Sequence, residues 1–341
     1  MKRKSATIVD IAKALNKTAS TVSRALQDHP SISPETKRLV LQTAKKLNYH
    51  PNKFAANLRK GRGNTIGLVV PRINRHFFSN VIHGVEGIAN QNGFNVLICQ
   101  SQESSEKEKE VISTLINNQV DGIIISISKE TTNGDHIRAA IERGIPVVQF
   151  DRTLRDLPTH QALNDNFSAA FEAVKHFKDQ GYTKIAHFGG PQFINIYRDR
   201  YEGFLSGLKE SGLPLNESWV FFDALTQQAA FDSARKIFSG KERPDAVFAV
   251  SDYAALGTLL ALQEMNIPAP DEVGIIGFAN EPFTGLTSPG ISAFDQHSEE
   301  MGRIAAGLLF EQINAGEEKK FIPKSISIKP ELIIRKSSAR F

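Results

Sequence analysis

The sequence predicts a small all-α head followed by an α/β body of two doubly wound lobes. Three observations carry this. At 341 residues with 40% hydrophobic content, the chain is long enough for two or three domains of roughly 100–200 residues each. Charge is unevenly spread: residues 1–62 hold 14 Lys/Arg against three acids (Asp10, Asp28 and Glu35), a net of +11, while residues 63–341 hold 27 Lys/Arg against 34 Asp/Glu, a net of −7. The periodicity also changes. Apolar residues fall at helical spacing up to about residue 50. From Ile66 onward, short apolar runs alternate with amphipathic stretches.

In the head, Thr7 and Asp10 form a capping-box pattern that opens a helix with Ile8, Ile11, Ala12 and Leu15 on one face. Asn16, which tolerates the left-handed conformation, closes it. Thr18 is a good N-cap for a second helix with Val22, Ala25 and Leu26 turned inward. Ser33, Pro34 and Glu35 start a third, whose buried stripe is expected from Leu39, Val40, Ala44 and Leu47. Three short helices with a tight turn between the first two predict a helix-turn-helix. In that motif the start of the second helix reaches base edges in the major groove. The candidate DNA contacts are therefore Ala19, Ser20 and Thr21, then Ser23 and Arg24 one turn on, with Thr7, Lys17 and Thr18 beside them. Ser20 can hydrogen-bond several bases, and Arg24 can take guanine bidentately or grip a phosphate. The alternative for each is an ordinary exposed helix residue.

The stretch "NYHPNKFAANLRKGRGN" follows. Tyr49 should complete the head's core, Pro51 ends the third helix, and Asn52 can cap another short helix to about Arg59 before Gly61 and Gly63 break it. A helix this short is marginal in water and needs a partner, so the segment is expected to be a linker that folds on contact.

Strand candidates in the body are "TIGLVV", "FNVLICQ", "DGIIISI", "IPVVQFD", "KIAHFGG", "WVFF", "DAVFAVSD" and "VGIIGFAN", separated by helical stretches such as 78–91, 105–118, 166–178 and 253–265. That alternation means parallel sheets covered on both faces. "LPTHQALNDN" interrupts the pattern halfway and favours two lobes over one barrel.

Several functions are disfavoured. Cys99 is the single cysteine, which rules out an intrachain disulfide and a cysteine-rich metal site. No apolar run approaches the roughly 18 residues of a membrane span. "MKRKSATIVD" lacks the apolar segment of a secretory signal, so a cytoplasmic protein with no membrane partner is expected. There is no G-x-G-x-x-G after a strand, Walker loop, G-x-S-x-G elbow or H-E-x-x-H. Neither an enzyme nor a cofactor or metal is expected. A soluble sugar-binding protein would not need the basic head, and an architectural DNA protein would not need the body.

"TIVDIAKALNKTASTVSRAL" and "YHPNKFAANLRKGRGNTIGLVVP" resemble the LacI/GalR family of bacterial transcriptional regulators, and the resemblance extends over almost the whole chain. It implies a homodimer on a pseudo-palindromic, double-stranded operator and a periplasmic-binding-protein-like body with a small-molecule cleft between its lobes. It also implies that Leu58, with Ala55 beside it and Asn52 capping, is a hinge leucine wedged into the minor groove. The expected domains are 1–48 (helix-turn-helix), 49–62 (hinge helix and linker), 63–162 with 292–322 (first lobe) and 163–291 with 323–341 (second lobe). On this division "ISAFDQ" joins the first lobe and "SISIKPELIIR" the second. Asn16 and Lys17 depart from the family's usual Gly and apolar residue.

The resemblance also implies an effector site at the carboxyl ends of the strands. Asp151 ends the fourth strand. Arg200 matches the family arginine that grips hydroxyls or carboxylates, and its rigid donor fork suits both. Phe77 matches a residue that closes over the ligand, Phe78 is expected to pack in its lobe, and Asp252 and Gln296 lie at the same edge. For each, a helix cap or packing residue is the alternative. Where the family has an aspartate in a "GYDD"-like strand end, this chain has "GFANEPF" with Ala279. Either Glu281 supplies the carboxylate, the Asn280 amide replaces it, or the site lacks one. The expected function is a transcriptional repressor whose operator affinity is set by a sugar or sugar derivative.

Overall fold

The computed structural model describes residues 6–49, 63–315 and 321–340. It divides into two compact units, Met1–Gly63 and Asn64–Phe341.

The first unit contains α1 (Ile8–Ala14), α2 (Ala19–Leu26) and α3 (Pro34–Lys46). Each start is capped as the sequence indicates. Thr7 and Asp10 close a complete capping box, Thr18 accepts from the Thr21 amide, and Ser33 accepts from the Thr36 amide with Pro34 in the first turn. Asn16 adopts φ 49°, and the Lys17 amide closes on the Ala12 carbonyl at 2.9 Å, so the turn forms without glycine. Ile11, Ala12, Val22, Ala25, Val40 and Ala44 form the core, with Leu26 and Tyr49 packed against it. Full burial of Ile11, Val22 and Val40 contributes about 1.5–3 kcal/mol each. Leu39 and Leu47 do not join this stripe. They lie on the outer side of α3, 41% and 37% exposed, because among the described residues α1 and α2 cover only the opposite face of α3.

The second unit has two six-stranded sheets. The first sheet runs β11-β5-β4-β3-β1-β2, built from β1 (Thr65–Val70), β2 (Asn95–Gln100), β3 (Gly122–Ile125), β4 (Val147–Phe150), β5 (His160–Asn164) and β11 (Ser325–Ile328). The second runs β12-β10-β9-β8-β6-β7, built from β6 (Ile185–Phe188), β7 (Val220–Phe221), β8 (Ala246–Ala249), β9 (Gly274–Phe278), β10 (Ser292–Asp295) and β12 (Glu331–Ile333). All pairings are parallel except β10 with β12. α4 (His76–Gln91), α5 (Ser105–Asn117), α6 (Asp135–Glu142) and α11 (Ser298–Asn314) cover the first sheet, while α7 (Asn166–Asp179), α8 (Asn195–Glu210), α9 (Gln227–Phe238) and α10 (Asp252–Glu264) cover the second. The central strands are buried on both faces, which is why they read as unbroken apolar runs.

The lobe boundaries differ from the sequence reading at three points. "HQALN" is the fifth strand of the first sheet and ends at Asn164, beyond the expected break at 162. "SAFD" pairs with β9 in the second sheet, Ser292 opposite Ile276. "SISI" pairs with β5 in the first sheet, Ser325 opposite Gln161, and only β12 returns to the second. The chain thus crosses between lobes after Asn164, after Asp295 and after Ile328. A period-two pattern identifies a strand but not the sheet it joins. The short connection from β9 through the 3-10 turn Pro282–Gly285 leaves β10 beside its own predecessor.

Candidate DNA-contact surface and effector cleft

On the first unit, Lys17, Thr18, Ala19, Ser20 and Arg24 are exposed, and Thr21 and Ser23 are half-buried. Their exposure follows from the helical period: Val22 and Ala25 face the core, so the opposite face of α2 carries the small polar residues and Arg24. Thr18 Oγ1 lies 2.9 Å from Ser20 Oγ and 2.8 Å from Thr21 Oγ1, so the start of α2 presents a connected hydroxyl cluster. Thr7 is committed to its helix, with its hydroxyl donating to Asp10 Oδ2 at 2.7 Å. Asn52, Ala55 and Leu58 lie outside the described residues.

In the second unit, the strand ends of the two sheets face one another. Asp151 follows β4 in the left-handed conformation, φ 56°. Its carbonyl accepts from Asn195 Nδ2 at 2.9 Å, while the Asn195 Oδ1 accepts from the Thr153 amide at 3.0 Å. Asn195, the first residue of α8, thus ties the second lobe to the strand end of the first. Arg152 beside it donates Nη1 to Glu103 at 2.7 Å and reaches the Tyr197 hydroxyl at 3.5 Å.

Arg200 is 3% exposed. Its placement begins at Gly203, where a Cβ would come 2.1 Å from the Phe167 carbonyl oxygen, so α7 and α8 approach closely only with glycine there. This brings Asn166 Oδ1 within 2.8 Å of Arg200 Nε. Nη1 donates to the Val250 carbonyl at 2.8 Å, and the guanidinium stacks 3.5 Å above the Phe278 ring. Nη2 has no hydrogen-bond partner among the described residues, nor does the Asp151 carboxylate. Burial raises the Asp151 pKa, offset in part by Arg152 and Arg200. Burial lowers Arg200 to about 10, so it keeps its charge at neutral pH. A carboxylate from one lobe and a guanidinium from the other therefore retain unused capacity in the same cleft.

The remaining cleft candidates are engaged by the protein itself, though Asp252 Oδ1 is left without a hydrogen-bond partner among the described residues. Phe77 packs edge-on to Phe78 at 5.0 Å inside the first lobe's core. Asp252 Oδ2 accepts from the Glu281 amide at 2.7 Å, and burial raises its pKa to about 7. Gly277 makes room for it, since a Cβ there would stand 2.3 Å from Asp252 Oδ1. Asn280, at φ 54°, donates to Asp295 at 3.0 Å and accepts from Arg335 at 2.8 Å. Gln296 pairs with Asn164 at two of the lobe crossings, both contacts at 3.0 Å. Glu281 reaches the other lobe, where the backbone amides of His76 and Phe77 and the charge of Arg75 partly counter the burial that raises its pKa. Arg75 in turn lies 3.7 Å above the Tyr253 ring. Ala279, at φ 121°, contributes no polar group.

Sequence reasoning missed Asn166, Asn195 and Tyr197. Asn195 and Tyr197 sit in "GGPQFINIY", where the turn after β6 was legible but not its distance from the other lobe. Behind Arg200, His187 is fully buried with both ring nitrogens unpartnered, and burial lowers its pKa to about 3. Among the described residues, no helix is long and apolar enough to cross a membrane.

The description "Bacterial regulatory proteins, lacI family" matches residues 7–52, and "Periplasmic binding protein-like domain" matches residues 174–338. The chain is 31% identical over 332 residues to the HTH-type transcriptional repressor PurR of Pasteurella multocida (strain Pm70), covering 97% of this chain and 98% of that one. Two solved structures share the fold. The lac repressor dimer bound to operator and the anti-inducer ONPF is 20% identical, with TM-score 0.86 over 98% of this chain and all of that one. The transcriptional regulator CelR–cellobiose complex is 24% identical, with TM-score 0.74 over 97% of this chain and 99% of that one. With its capped three-helix head and its two parallel-sheet lobes, the chain belongs to the lacI family of DNA-binding bacterial transcriptional regulators.

Proposed function

We propose that this chain is a cytoplasmic, non-catalytic repressor that binds a pseudo-palindromic operator as a homodimer and is controlled by a small molecule held between Asp151 and Arg200. The observation that carries the effector site is the unused hydrogen-bonding capacity of that opposed pair, one group from each lobe, with Asp252 Oδ1 and Arg152 Nε also unpartnered in the same region among the described residues. A hydroxyl both donates to a carboxylate and accepts from a guanidinium, so a sugar or sugar derivative meets both groups with adjacent hydroxyls. The solved CelR regulator holds cellobiose, in keeping with that class. The solved lac repressor is a dimer on its operator, in keeping with the proposed assembly. An effector that binds the open and closed lobes with different affinity shifts the population between them, and thereby the operator affinity of the dimer.

Base reading falls to Ala19, Ser20 and Arg24, with Lys17, Thr18, Thr21 and Ser23 around them. Asn52, Ala55 and Leu58 supply the hinge, where an apolar wedge opens a base step and bends the DNA onto more protein. The test is an unbiased operator selection on the full chain, repeated with a panel of sugars. Retention of one palindromic sequence, altered by one member of the panel, supports the reading. Sequence-independent retention contradicts it, and so does a selected operator indifferent to every polyhydroxylated ligand.

A further inference from the structure

The hydroxyls at the start of α2 obey a proton count that limits what they can offer DNA. Thr18 Oγ1 has one proton and two lone pairs. One lone pair accepts the Thr21 amide, 3.2 Å away, which is the helix cap. One proton and one lone pair then remain for two neighbours, Ser20 Oγ at 2.9 Å and Thr21 Oγ1 at 2.8 Å. Thr18 must therefore give its proton to one of them and receive a proton from the other. The neighbour that receives keeps its own proton for an outside partner, and the neighbour that gives offers only lone pairs.

Exposure distinguishes the two. Ser20 is exposed, whereas Thr21 is half-buried against its own unit. The start of such a helix reaches base edges, which the exposed Ser20 is placed to meet. Half or more of protein hydrogen bonds to DNA go to the backbone, and phosphate is the partner we assign to the half-buried Thr21. Phosphate oxygens only accept. Thr21 must then spend its proton outward and take Thr18's, which obliges Ser20 to give its proton to Thr18.

Resting on the assignment of α2 as the base-reading helix, we propose that the Thr18–Ser20–Thr21 network fixes the polarity of base reading. Ser20 meets the major groove as an acceptor and selects a base carrying an exocyclic amine, adenine or cytosine, on the strand it faces. Guanine and thymine offer Ser20 only acceptors at that position. Ser20 is thus the specificity-determining residue, and Thr21 is the positioning residue that sets its polarity.

The experiment is a randomised operator selection with the full-length protein, read out by sequencing for the wild type, Ser20→Ala, Thr21→Val and Thr21→Ser. Ser20→Ala locates the position that Ser20 reads, as the one whose preference it flattens. There the wild type is expected to favour adenine or cytosine by about three- to tenfold, the scale of one neutral hydrogen bond. Thr21→Val retains the β-branched shape and the backbone cap but releases Thr18's second bond, so Ser20 can donate or accept. The preference at that single position should fall within about twofold, with the rest of the selected sequence unchanged. Thr21→Ser should keep the wild-type preference. A wild-type choice of guanine or thymine there, a Thr21→Val profile identical to wild type, or a Ser20→Ala variant that flattens no position would each overturn the proposal while leaving the helix as a DNA reader. Loss of all sequence selection in the wild type would instead overturn the assignment of α2 itself.

Discussion

On α2, Ala19, Ser20 and Arg24 stand exposed, the Arg24 guanidinium open to solvent and the Ser20 hydroxyl tied only to its neighbour Thr18. In the cleft, Asp151, Arg200, Asp252, Glu281 and Gln296 are each buried, and Arg200, Asp252 and Gln296 already spend part of their hydrogen-bonding capacity within the protein. The contrast follows from the cost of desolvation. An exposed polar group is solvated by water until DNA arrives, so a surface that meets a polyanion can hold many uncommitted groups. A buried one must be satisfied internally or destabilise the fold, so a small-molecule site can leave only a few unfilled. Among the described residues, the Asp151 carboxylate and one amino group of Arg200, together with Asp252 Oδ1 and Arg152 Nε, have no hydrogen-bond partner.

Salt offers the largest separation of the two regions. A dimer whose heads each carry +11 and make about 6–10 phosphate contacts should lose roughly 10³–10⁵ in operator affinity between about 50 and 200 mM salt. Effector affinity should change far less over the same range, because buried pairs are screened weakly. Fluorescence anisotropy for the operator and calorimetry for the effector make the comparison. Equal salt slopes would collapse the distinction.

Protonation separates them next. Burial raises Asp252 to about 7 in the folded state, above its ordinary value of 3.8. A raised carboxylate holds its proton in the fold and loses it in the unfolded chain, so its contribution to stability is full below about pH 4 and disappears as pH rises to about 7. The slope is at most about 1.4 kcal/mol per pH unit. His187, lowered to about 3, has the opposite slope between about pH 3 and 6.5. The wild-type curve therefore mixes the two, and the difference between wild type and Asp252→Asn isolates Asp252. Denaturant melts at pH 5 and pH 7 should show the variant losing more stability relative to wild type at pH 5. A pH-independent difference would mean that Asp252 is already charged in the fold.

Smaller effects belong to single DNA contacts. Arg24→Ala should cost about 1–3 kcal/mol on the selected operator and less on random DNA if it reads a base, while equal losses would make it a phosphate contact. Leu58→Ala should leave the lobes folded and ligand binding intact, yet reduce specific affinity and DNA bending measured by gel mobility. Wild-type bending in that variant would remove the wedge.

The head was legible almost to the residue because its signals are local. Thr7 with Asp10, Thr18, Ser33 and Pro34 act within one turn of where they stand. The lobes were legible as strand–helix alternation, but the route of the tail was not. "SAFD" and "SISI" could each extend either sheet, and β5 hid in a polar-looking "HQALN" whose inward residues include His160 and Asn164. The cleft followed the same rule. Asp151 and Arg200 were singled out through the family resemblance, one at a strand end and the other in the second turn of a helix. The engagement of Asn280 depends on Asp295 and Arg335, 15 and 55 residues away, and no local pattern encodes such partners.

The central claim is that a ligand spanning Asp151 and Arg200 controls the head's grip on DNA, and Arg200→Ala tests it most directly. Ligand affinity by calorimetry and operator affinity with and without that ligand are measured on folded wild-type and variant protein. Loss of a charge-assisted hydrogen bond worth about 1.5–3 kcal/mol should weaken the ligand roughly 10- to 150-fold. The operator response should vanish, with effector-free operator affinity kept if the ligand releases the repressor and operator binding lost if the ligand is required. A folded Arg200→Ala protein with unchanged ligand affinity and an intact operator response would contradict the account.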